Sequence, residues 1–421
     1  MGRFDHRKAT VKVQIKDAAG NPLKNTEIRV EQKTHKFLFG CGAFDTMGVV
    51  MPDDIVPKFP GANPEMMKKM KASSIERMEK FVKLFNYGTI PFYWGQYEHS
   101  EGHPNQDITM AQAKWLKDRG ITVKGHPLCW HTVCANWLMN YSNEEILEKQ
   151  LARIHREVST YKGLVDMWDV INEVVIMPVF DKYDNAITRI CKDMGRFKLA
   201  KAVFEEAKAC NPDAVLLIND FNTSVSYEIL LEGLLEAGVP IGAIGIQSHQ
   251  HQGFWGPEKL HDVLERFSRF GLPIHFTENT LISGDLMPAH LEDLNDYQVD
   301  SWPSTPEGEE RQAKELTEMY TILFEHPLVK AITTWDFTDG AWLHAPSGLL
   351  REDNTEKPSY HALYKLFRED WSTNATIQTD ENGILSLEGF KGNYELICEN
   401  LKARLELHVD HTGQLIMKNE S

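Results

Sequence analysis

Short apolar runs rich in β-branched and aromatic residues recur through the middle of the chain, separated by longer stretches with helical periodicity such as residues 146–158 and 197–210. Runs of this kind, alternating with helices, indicate parallel strands covered on both faces, and eight of them close a (β/α)8 barrel. We therefore predict an α/β fold, a (β/α)8 TIM barrel over residues 36–371. An open doubly wound sheet is the alternative, although no GxGxxG follows the first run and no GxxxxGK[ST] occurs. The eight runs are residues 37–44, 84–92, 121–130, 165–172, 214–221, 241–248, 272–278 and 329–337.

Both ends of the chain instead alternate with a period of two residues. Residues 11–15 and 28–30 alternate on either side of a turn at 19–22, which predicts a β-hairpin within residues 1–35. Residues 372–421 are also strand-like, with a turn at 380–383. Because neither end has enough strands to be stable alone, we expect the two to pack together as one small β-sandwich.

Composition and charge narrow the classes of partner. The 421 residues are 42% hydrophobic and carry a formal net charge of −16, so we expect a large core and no nucleic acid partner. No apolar run approaches the roughly 18 residues of a membrane span, and the N-terminus has no apolar signal region. We expect a soluble protein with no membrane partner, cytoplasmic unless a signal peptide has been removed. The six cysteines lack zinc-knuckle or redox spacing, which favours ordinary buried thiols.

Polar side chains end the predicted strands, where a (β/α)8 barrel carries its chemistry. The third run ends in Gly-His-Pro-Leu-Cys-Trp-His at 125–131, and the fourth in Trp-Asp-Val-Ile-Asn-Glu at 168–173. Later runs end in Gln-Ser-His at 247–249, Thr-Glu at 277–278 and Trp-Asp at 335–336. The mouth of the predicted barrel is therefore the candidate active site.

Two glutamates, Glu173 and Glu278, end the fourth and seventh strands, which face each other across the barrel mouth. Carboxyl groups about 5–5.5 Å apart act as nucleophile and acid/base in retaining glycoside hydrolysis, whereas a gap of about 6.5–9.5 Å admits water and gives inversion. The retaining mechanism needs one of the two carboxyls to be protonated and the other to be ionised. His249, one strand before Glu278, is placed to hold the ionised one.

Taken together, these motifs resemble those of glycoside hydrolase family 10, the endo-β-1,4-xylanases, whose barrel carries GHxLxWH, WDVxNE, a Gln-x-His segment and a Thr-Glu strand in this order. The resemblance covers most of residues 37–370. It implies that Glu173 is the acid/base and Glu278 the nucleophile, and that Asn172 binds the sugar hydroxyl at C2 in the −1 subsite. It also implies no metal, no cofactor, and a plant cell-wall polysaccharide or xylo-oligosaccharide as partner. Family positions that line or roof the −1 subsite match His126, Trp130, Gln247, His249, Trp335 and Trp342.

The sequence departs from the family pattern around the −2 subsite. Where the family has Glu-Asn-x-x-Lys-Trp, residues 89–94 read Thr-Ile-Pro-Phe-Tyr-Trp, and a Gln of the same subsite is Val133. Ile90, Tyr93 and Val133 thus replace polar groups, each lost hydrogen bond being worth on the order of 1 kcal/mol. We expect weak binding of unsubstituted xylan, with Tyr93 and Phe92 offering a stacking face to a decorated sugar, a shorter oligosaccharide or another aglycone.

Two further departures lie beside the nucleophile and the roof of the subsite. The family's Thr-Glu-Leu-Asp is Thr-Glu-Asn-Thr at 277–280, which removes an Asp expected to support the histidine beside the nucleophile. At the position after the Trp that roofs the subsite, the family has Gly and this sequence has Asp336. Asp336 either recognises a hydroxyl or an arabinose branch at the mouth or pairs with a nearby Arg or Lys.

The prediction is a retaining glycoside hydrolase that cleaves β-1,4-xylosidic linkages in xylan-type polysaccharide, or in its decorated or short oligosaccharides, by double displacement. Two alternatives stay open. A catalytically silent carbohydrate-binding barrel is one, although a pure binder needs no pair of converging carboxylates. A metal-dependent barrel hydrolase is the other, with a ligand set drawn from His126, Asp220, His249, His251 and Asp336.

Overall fold

The structure is a computed structural model that describes residues 2–52 and 63–419. In these residues the strands are β1 (Lys8–Lys16), β2 (Glu27–His35), β3 (Leu38–Gly42), β4 (Tyr87–Pro91), β5 (Thr122–His126), β6 (Met167–Asn172), β7 (Val215–Asp220), β8 (Ala243–Gln250), β9 (Ile274–Leu281), β10 (Val329–Thr334), β11 (Asn374–Gln378), β12 (Ile384–Phe390), β13 (Gly392–Cys398), β14 (Leu401–Leu407), β15 (His411–Ile416) and β16 (Lys418–Asn419). The helices are α1 (Thr46–Val50), α2 (Pro64–Leu84), α3 (Trp94–Tyr97), α4 (Gln106–Lys117), α5 (Asn143–Thr160), α6 (Ala186–Met194), α7 (Arg196–Cys210), α8 (Val225–Glu236), α9 (Gly256–Ser268), α10 (Pro306–Glu325) and α11 (Pro358–Lys365). Short 3₁₀ or π turns span Asp5–Arg7, Asn136–Asn140, Met177–Val179, Leu294–Asp296 and Leu366–Asp370.

Strands β3 to β10 are parallel and pair in chain order, with β10 returning to β3, so that they close into a barrel. Helices alternate with these strands, which confirms the predicted (β/α)8 fold, and each of the predicted apolar runs overlaps one barrel strand. Strands β6 and β9 are buried along their whole length. Burial on both faces follows from one face lining the barrel interior and the other meeting the helices.

The barrel interior changes from apolar to polar toward the mouth. Its lower layer includes Tyr87, Met167 and Leu217, which pack as one apolar cluster. Two residues further along β6 and β7, on the same face, stand Asp169 and Asn219, both fully buried. Polar side chains therefore begin inside the barrel, below the mouth itself.

A close contact between β5 and β6 fixes how these two strands meet. A Cβ atom on Gly125 would lie 2.2 Å from the ring of Trp168, so only glycine fits there. The Trp168 indole donates to the carbonyl of Val165 at 3.1 Å and meets the Phe92 ring edge-on at 4.8 Å between centroids. This contact sets the end of β5, at His126, against β6.

Local sequence fixes where several helices begin. Ser142 and Glu145 form a reciprocal capping box at the start of α5. Thr305 accepts from the amide of Gly308 at 3.0 Å, which caps α10 immediately before its first residue, a proline. Among the helices of residues 2–52 and 63–419, none is long and apolar enough to cross a membrane.

Residues from both chain ends form two sheets beside the barrel, which confirms the expected all-β module. Strand β1 pairs with β12 and β15, whereas β2 pairs with β11 and β13 in a sheet that β14 and β16 extend. The predicted N-terminal hairpin is therefore wrong, since β1 and β2 lie in different sheets. The apolar rows of both strands, including Val11 and Val30, face one shared core, and pairing with C-terminal strands buries both rows.

The terminal sheets attach to the barrel through a buried arginine and a group of aromatic rings. Arg7 donates through Nε to the carbonyl of Phe324 and through Nη2 to that of Val329, both at 2.9 Å. Phe4 packs on Phe324 at 5.2 Å and on Trp371 at 6.0 Å between ring centroids. The junction is thus a packed part of the molecule, at the end of the barrel away from the mouth, where α10 ends and β10 begins.

Candidate active site

Glu173 follows directly after β6 and holds its carboxyl in the barrel mouth. Its backbone φ is +55°, a left-handed conformation that costs a residue with a side chain roughly 1–2 kcal/mol. Its amide donates to the carbonyl of Asn219 at 2.8 Å. The carboxylate accepts from Trp130 Nε1 at 2.9 Å, and from Gln247 Nε2 and Asn172 Nδ2, both at 3.3 Å. The strained backbone therefore directs this carboxyl onto three of the predicted site residues.

The surroundings of Glu173 keep its carboxyl protonated. Burial raises the pKa of Glu173 to about 8. The negative charges of Glu278 and Asp220 also act to raise this pKa, whereas the hydrogen bond from Trp130 acts to lower it. His131 Nε2 lies 4.0 Å from the same carboxylate, but burial lowers the pKa of His131 to about 4, so this ring is neutral. At neutral pH Glu173 carries the proton that a general acid needs.

Glu278, in β9, has the opposite environment. Asn219 Nδ2 donates to its Oε1 at 2.7 Å, His249 Nε2 lies 3.1 Å from its Oε2, and His126 Nδ1 lies 3.9 Å from Oε1. Burial acts to raise the pKa of Glu278, but the charge of His126 and the hydrogen bond and charge of His249 outweigh it and lower the pKa. This carboxyl is therefore ionised at neutral pH, as a nucleophile must be.

A row of amide groups connects the two carboxyls. Nδ2 of Asn219 donates to Glu278 and also to Oδ1 of Asn172, at 2.7 Å. Gln247 Nε2 donates to the same Asn172 oxygen at 3.1 Å, and the Thr277 hydroxyl donates to Oδ1 of Asn219 at 2.6 Å. The role of Asn219 is not predictable from the sequence, because a polar residue at a strand end does not reveal which side chains its amide contacts.

A buried ion pair, which sequence analysis also missed, lies behind His126. Lys124 Nζ is 2.6 Å from Asp169 Oδ2, and both side chains are fully buried. The same carboxylate oxygen lies 2.7 Å from His126 Nδ1. Although burial acts to raise the pKa of Asp169, the charge of Lys124 lowers it, and that charge also lowers the pKa of Glu278. The sequence does contain a signal of this ion pair, because Lys124 lies in a buried strand two residues before His126 and thus on the same face.

Aromatic side chains surround this arrangement. The ring of Tyr93 lies 5.7 Å from that of His126, and the ring of Trp335 lies 5.2 Å from His126. The ring of Trp342 lies 4.7 Å from that of His249. The structure therefore brings the predicted site residues together, while their roles toward a sugar stay predictions. These residues are Tyr93, His126, Trp130, Asn172, Glu173, Gln247, His249, Glu278, Trp335 and Trp342.

Two residues of the altered −2 segment do not face the mouth. Ile90 and Phe92 are fully buried in the core between the barrel and its helices. The expectation that Phe92 offers a stacking face is therefore wrong, because alternation along the chain turns both Ile90 and Phe92 away from the mouth. Tyr93 is half-buried beside His126, and Val133 stands in a left-handed conformation, with φ of +52°.

Asp336 and Thr280 also differ from expectation. Asp336 is 3% exposed and accepts from the Ser347 hydroxyl at 2.5 Å. Its carboxyl therefore does not open into the mouth, and among the described residues it forms no ion pair with an Arg or Lys. Alternation along the chain turns it away from the side of Trp335, and burial raises the pKa of Asp336 to about 7. The Thr280 hydroxyl lies 3.4 Å from His249 Nδ1, so His249 retains a polar partner without the family's Asp.

The side chains of the metal-hydrolase alternative contact groups outside that set. His251 Nδ1 lies 3.2 Å from the Thr280 hydroxyl, and Asp220 accepts from the amide of Val175 at 3.0 Å. Within the part of the chain that the structure describes, the groups of that alternative do not converge as a ligand set. The remaining members, His126, His249 and Asp336, contact the partners given above.

Comparison with known protein families decides the classification. The model of glycosyl hydrolase family 10 matches residues 70–366, which is most of the barrel and includes both glutamates. The chain belongs to glycosyl hydrolase family 10. The resemblance drawn from the strand-end motifs is thereby confirmed at the level of the family.

Curated relatives include several endo-1,4-beta-xylanases. The chain is 29% identical over 294 residues to the endo-1,4-beta-xylanase/feruloyl esterase of Xylanibacter ruminicola, covering 62% of this chain and 39% of that protein. It is 30% identical over 294 residues to endo-1,4-beta-xylanase B of Thermotoga neapolitana, covering 66% of this chain and 78% of that protein. A longer match, 21% identical over 399 residues, joins 93% of this chain to 45% of the anti-sigma-I factor RsgI6 of Acetivibrio thermocellus. The chain thus spans less than half the length of the first and the last of these relatives.

Solved structures support the architecture. The chain superposes on xylanase 10B from Thermotoga petrophila RKU-1, crystallised in complex with xylobiose, with a TM-score of 0.61 at 23% identity. The match covers 80% of this chain and 95% of that one. At this identity the likeness shows a shared fold.

Proposed function

We propose that this family-10 protein is a retaining glycoside hydrolase that cleaves β-1,4-xylosidic linkages in xylan-type polysaccharides or in their decorated or short oligosaccharides. The observation that carries the proposal is the contrast between the two carboxyls of the mouth. Burial raises the pKa of Glu173 to about 8, whereas His126 and His249 lower the pKa of Glu278 against the effect of burial. Double displacement needs this division into acid and nucleophile. The names of the curated xylanase relatives support the choice of sugar.

In the first step, Glu173 gives its proton to the glycosidic oxygen while the carboxylate of Glu278 attacks the anomeric carbon. The bond from that carbon to the leaving oxygen breaks, and an ester between the sugar and Glu278 forms. Asn219 and His249 each contact one oxygen of Glu278, which fixes the plane of the attacking carboxylate. Asn172, one residue before the acid, is the candidate partner for the sugar hydroxyl at C2.

In the second step, Glu173 is ionised and takes a proton from a water molecule that attacks the same carbon. The ester bond to Glu278 breaks, and the sugar leaves with its original configuration. Trp130 donates to Glu173 at 2.9 Å, a hydrogen bond that favours the ionised form needed at this stage. The same residue therefore acts first as an acid and then as a base.

The aromatic residues of the mouth and the lost polar groups together set the substrate preference. Tyr93, Trp335 and Trp342 present rings around the histidines that contact the nucleophile. Sugar C–H faces pack against such rings and leave their hydroxyls free for other partners. Because Val133 replaces a glutamine of the family's −2 subsite, linear xylan loses a hydrogen bond there. We expect decorated or short substrates to be preferred.

The test is product release from linear xylan, arabinoxylan, glucuronoxylan and short aryl β-xylosides, with Glu278→Ala as the blank. We expect release from the decorated or short substrates, little from linear xylan, and none in the blank. Faster release from linear xylan than from every other substrate would refute the proposed preference. No release from any substrate would refute the hydrolase.

Glu173→Ala tests the acid role separately. Aryl xylosides with a good leaving group need little protonation, so we expect the variant to retain much more activity on them than on natural linkages. An equal loss on both substrate types would contradict the acid role. Glu228→Ala is the matched control, because Glu228 is a buried carboxyl whose side chain pairs with Arg266 at 3.0 Å on the outer helices. It should leave the ratio between the two substrate types unchanged.

A catalytically silent carbohydrate-binding barrel is the second candidate. The match to an anti-sigma-I factor favours a role other than hydrolysis, because that name denotes a regulator, and the match extends over 93% of the chain. The opposed protonation of Glu173 and Glu278 argues against it, since binding alone needs no such difference. Calorimetric titration of the wild-type protein with xylo-oligosaccharides distinguishes the two. Binding without any product release would favour the silent barrel.

A further inference from the structure

Three metal-ligating side chains converge on the outside of the barrel, away from the mouth. His155 lies on α5, and Glu206 and Cys210 lie on α7. Glu206 and Cys210 are one helical turn apart and therefore share a face of α7, and α5 packs beside α7. Among residues 2–52 and 63–419, this is the one group of three histidine, cysteine or acidic side chains whose ligand atoms all lie within 4.8 Å of one another.

The three atoms form a triangle in which two edges have the length that a tetrahedral metal requires. His155 Nδ1 is 2.8 Å from Glu206 Oε1, and Cys210 Sγ is 3.4 Å from each of these two atoms. Zinc bonds of about 2.0–2.1 Å to nitrogen or oxygen and about 2.3 Å to sulfur place tetrahedral ligands about 3.3–3.6 Å apart. The two edges to sulfur already match. The edge between His155 and Glu206 is shorter because a hydrogen bond joins these side chains.

We propose that His155, Glu206 and Cys210 bind a zinc ion, with water as the fourth ligand. A thiolate with an imidazole selects borderline transition-metal ions over Mg²⁺ and Ca²⁺, which prefer oxygen ligands. On binding, the Cys210 thiol loses its proton to solvent as the sulfur–zinc bond forms. The proton between His155 Nδ1 and Glu206 also passes to solvent, and the ring keeps a proton on Nε2, so that Nδ1 and the Glu206 carboxylate each bind zinc. Three protein ligands of mixed type and one open position suit Zn²⁺.

The site is open to solvent and far from the chemistry. The side chains of His155 and Glu206 are 69% and 28% exposed, so an ion can reach them from solvent. Cys210 ends α7, and β7 is the next element; helix ends that lead into a barrel strand lie at the end of the barrel opposite the mouth. A bound ion would therefore join α5 to α7 and stabilise the fold, and it would leave catalysis unchanged.

Cobalt titration tests the site, because a cysteine–cobalt bond gives a charge-transfer band that carboxylates and histidines alone do not give. The untagged full-length protein is titrated with Co²⁺ and then with Zn²⁺ in competition. We expect one equivalent of Co²⁺ with a sulfur charge-transfer band that Zn²⁺ abolishes. We also expect a rise of a few degrees in Tm at a Zn²⁺ concentration about 100-fold above Kd, with no change in glycosidase activity.

Variants assign the ligands. Cys210→Ser should abolish the charge-transfer band, and His155→Ala should weaken binding by about tenfold or more. Cys398→Ser, which alters another partly buried thiol, is the matched control and should leave the band intact. Near-ultraviolet circular dichroism of the metal-free variants shows that each is folded. Absence of the band in the wild type, or its persistence in Cys210→Ser, would overturn the proposal.

Discussion

Replacing Lys124 by methionine removes a buried positive charge while keeping the length of the side chain. Lys124 Nζ lies 2.6 Å from Asp169, whose carboxylate also holds the ring of His126, and His126 lies beside Glu278. The substitution leaves Asp169 as an uncompensated buried carboxyl. Since the charge of Lys124 lowers the pKa of Asp169 and of Glu278, both pKa values should rise in Lys124→Met.

Two magnitudes follow from this geometry. Removing one partner of a buried ion pair costs about 3–5 kcal/mol of the free energy of unfolding. With an unfolding entropy of about 2.1 cal/mol/K per residue over 421 residues, Tm should fall by about 3–6 °C. The acid limb of the kcat/KM profile reports the ionisation of Glu278, and it should move to higher pH by about half to one unit, the size of a roughly 1 kcal/mol interaction.

The assay is kcat/KM for an aryl β-xyloside measured from acidic to alkaline pH, beside a thermal unfolding curve. Lys357→Met is the matched control, because Lys357 is also fully buried and pairs with Asp339 at 2.5 Å, away from Glu278. The control should lose a comparable amount of stability and keep its acid limb in place. An acid limb that does not move in Lys124→Met, or that moves equally in Lys357→Met, would refute the reasoning.

Three further substitutions test other parts of the site. Trp130→Phe removes a hydrogen bond that favours ionised Glu173, so the pKa of Glu173 should rise and the basic limb of kcat/KM should move to higher pH by about half a unit or more. Burial lowers the pKa of His275 to about 3, so between pH 3 and 6.5 the unfolded state binds more protons than the folded state, and the wild type loses stability as the pH falls from 7 to 5. His275→Gln should recover about 2 kcal/mol of that lost stability, measured by urea unfolding. Tyr93→Ala should raise KM for short or decorated substrates about tenfold with a smaller effect on kcat, whereas Tyr364→Ala, at an exposed ring, should change neither.

The sequence predicts the barrel well because its physical signal is local. A strand buried on both faces begins with a near-continuous apolar run, so β7 and β8 are visible as runs at residues 215–218 and 243–246 before any contact is known. The rule that barrel chemistry lies at the carboxyl ends of strands then selects Glu173 and Glu278, and the structure brings both to one mouth.

The remaining features depend on partners distant in the chain. Strands β1 and β2 look like a hairpin locally, yet each pairs with C-terminal strands that the local pattern cannot specify. Phe92 and Asp336 lie where strands end, and the phase of alternation there decides whether a side chain faces the mouth or the helices. The link from Lys124 to His126 through Asp169 requires the register of two neighbouring strands.

The central claim is that Glu278 is the nucleophile, and trapping the glycosyl-enzyme tests it most directly. The wild-type protein is incubated with an activated 2-deoxy-2-fluoro-β-xylobioside, digested, and analysed by peptide mass spectrometry. The account predicts one fluoroglycosyl group, carried by Glu278 and absent from Glu278→Gln. A label on Glu173 or another residue, or no label in a protein that hydrolyses the corresponding xyloside, would contradict it.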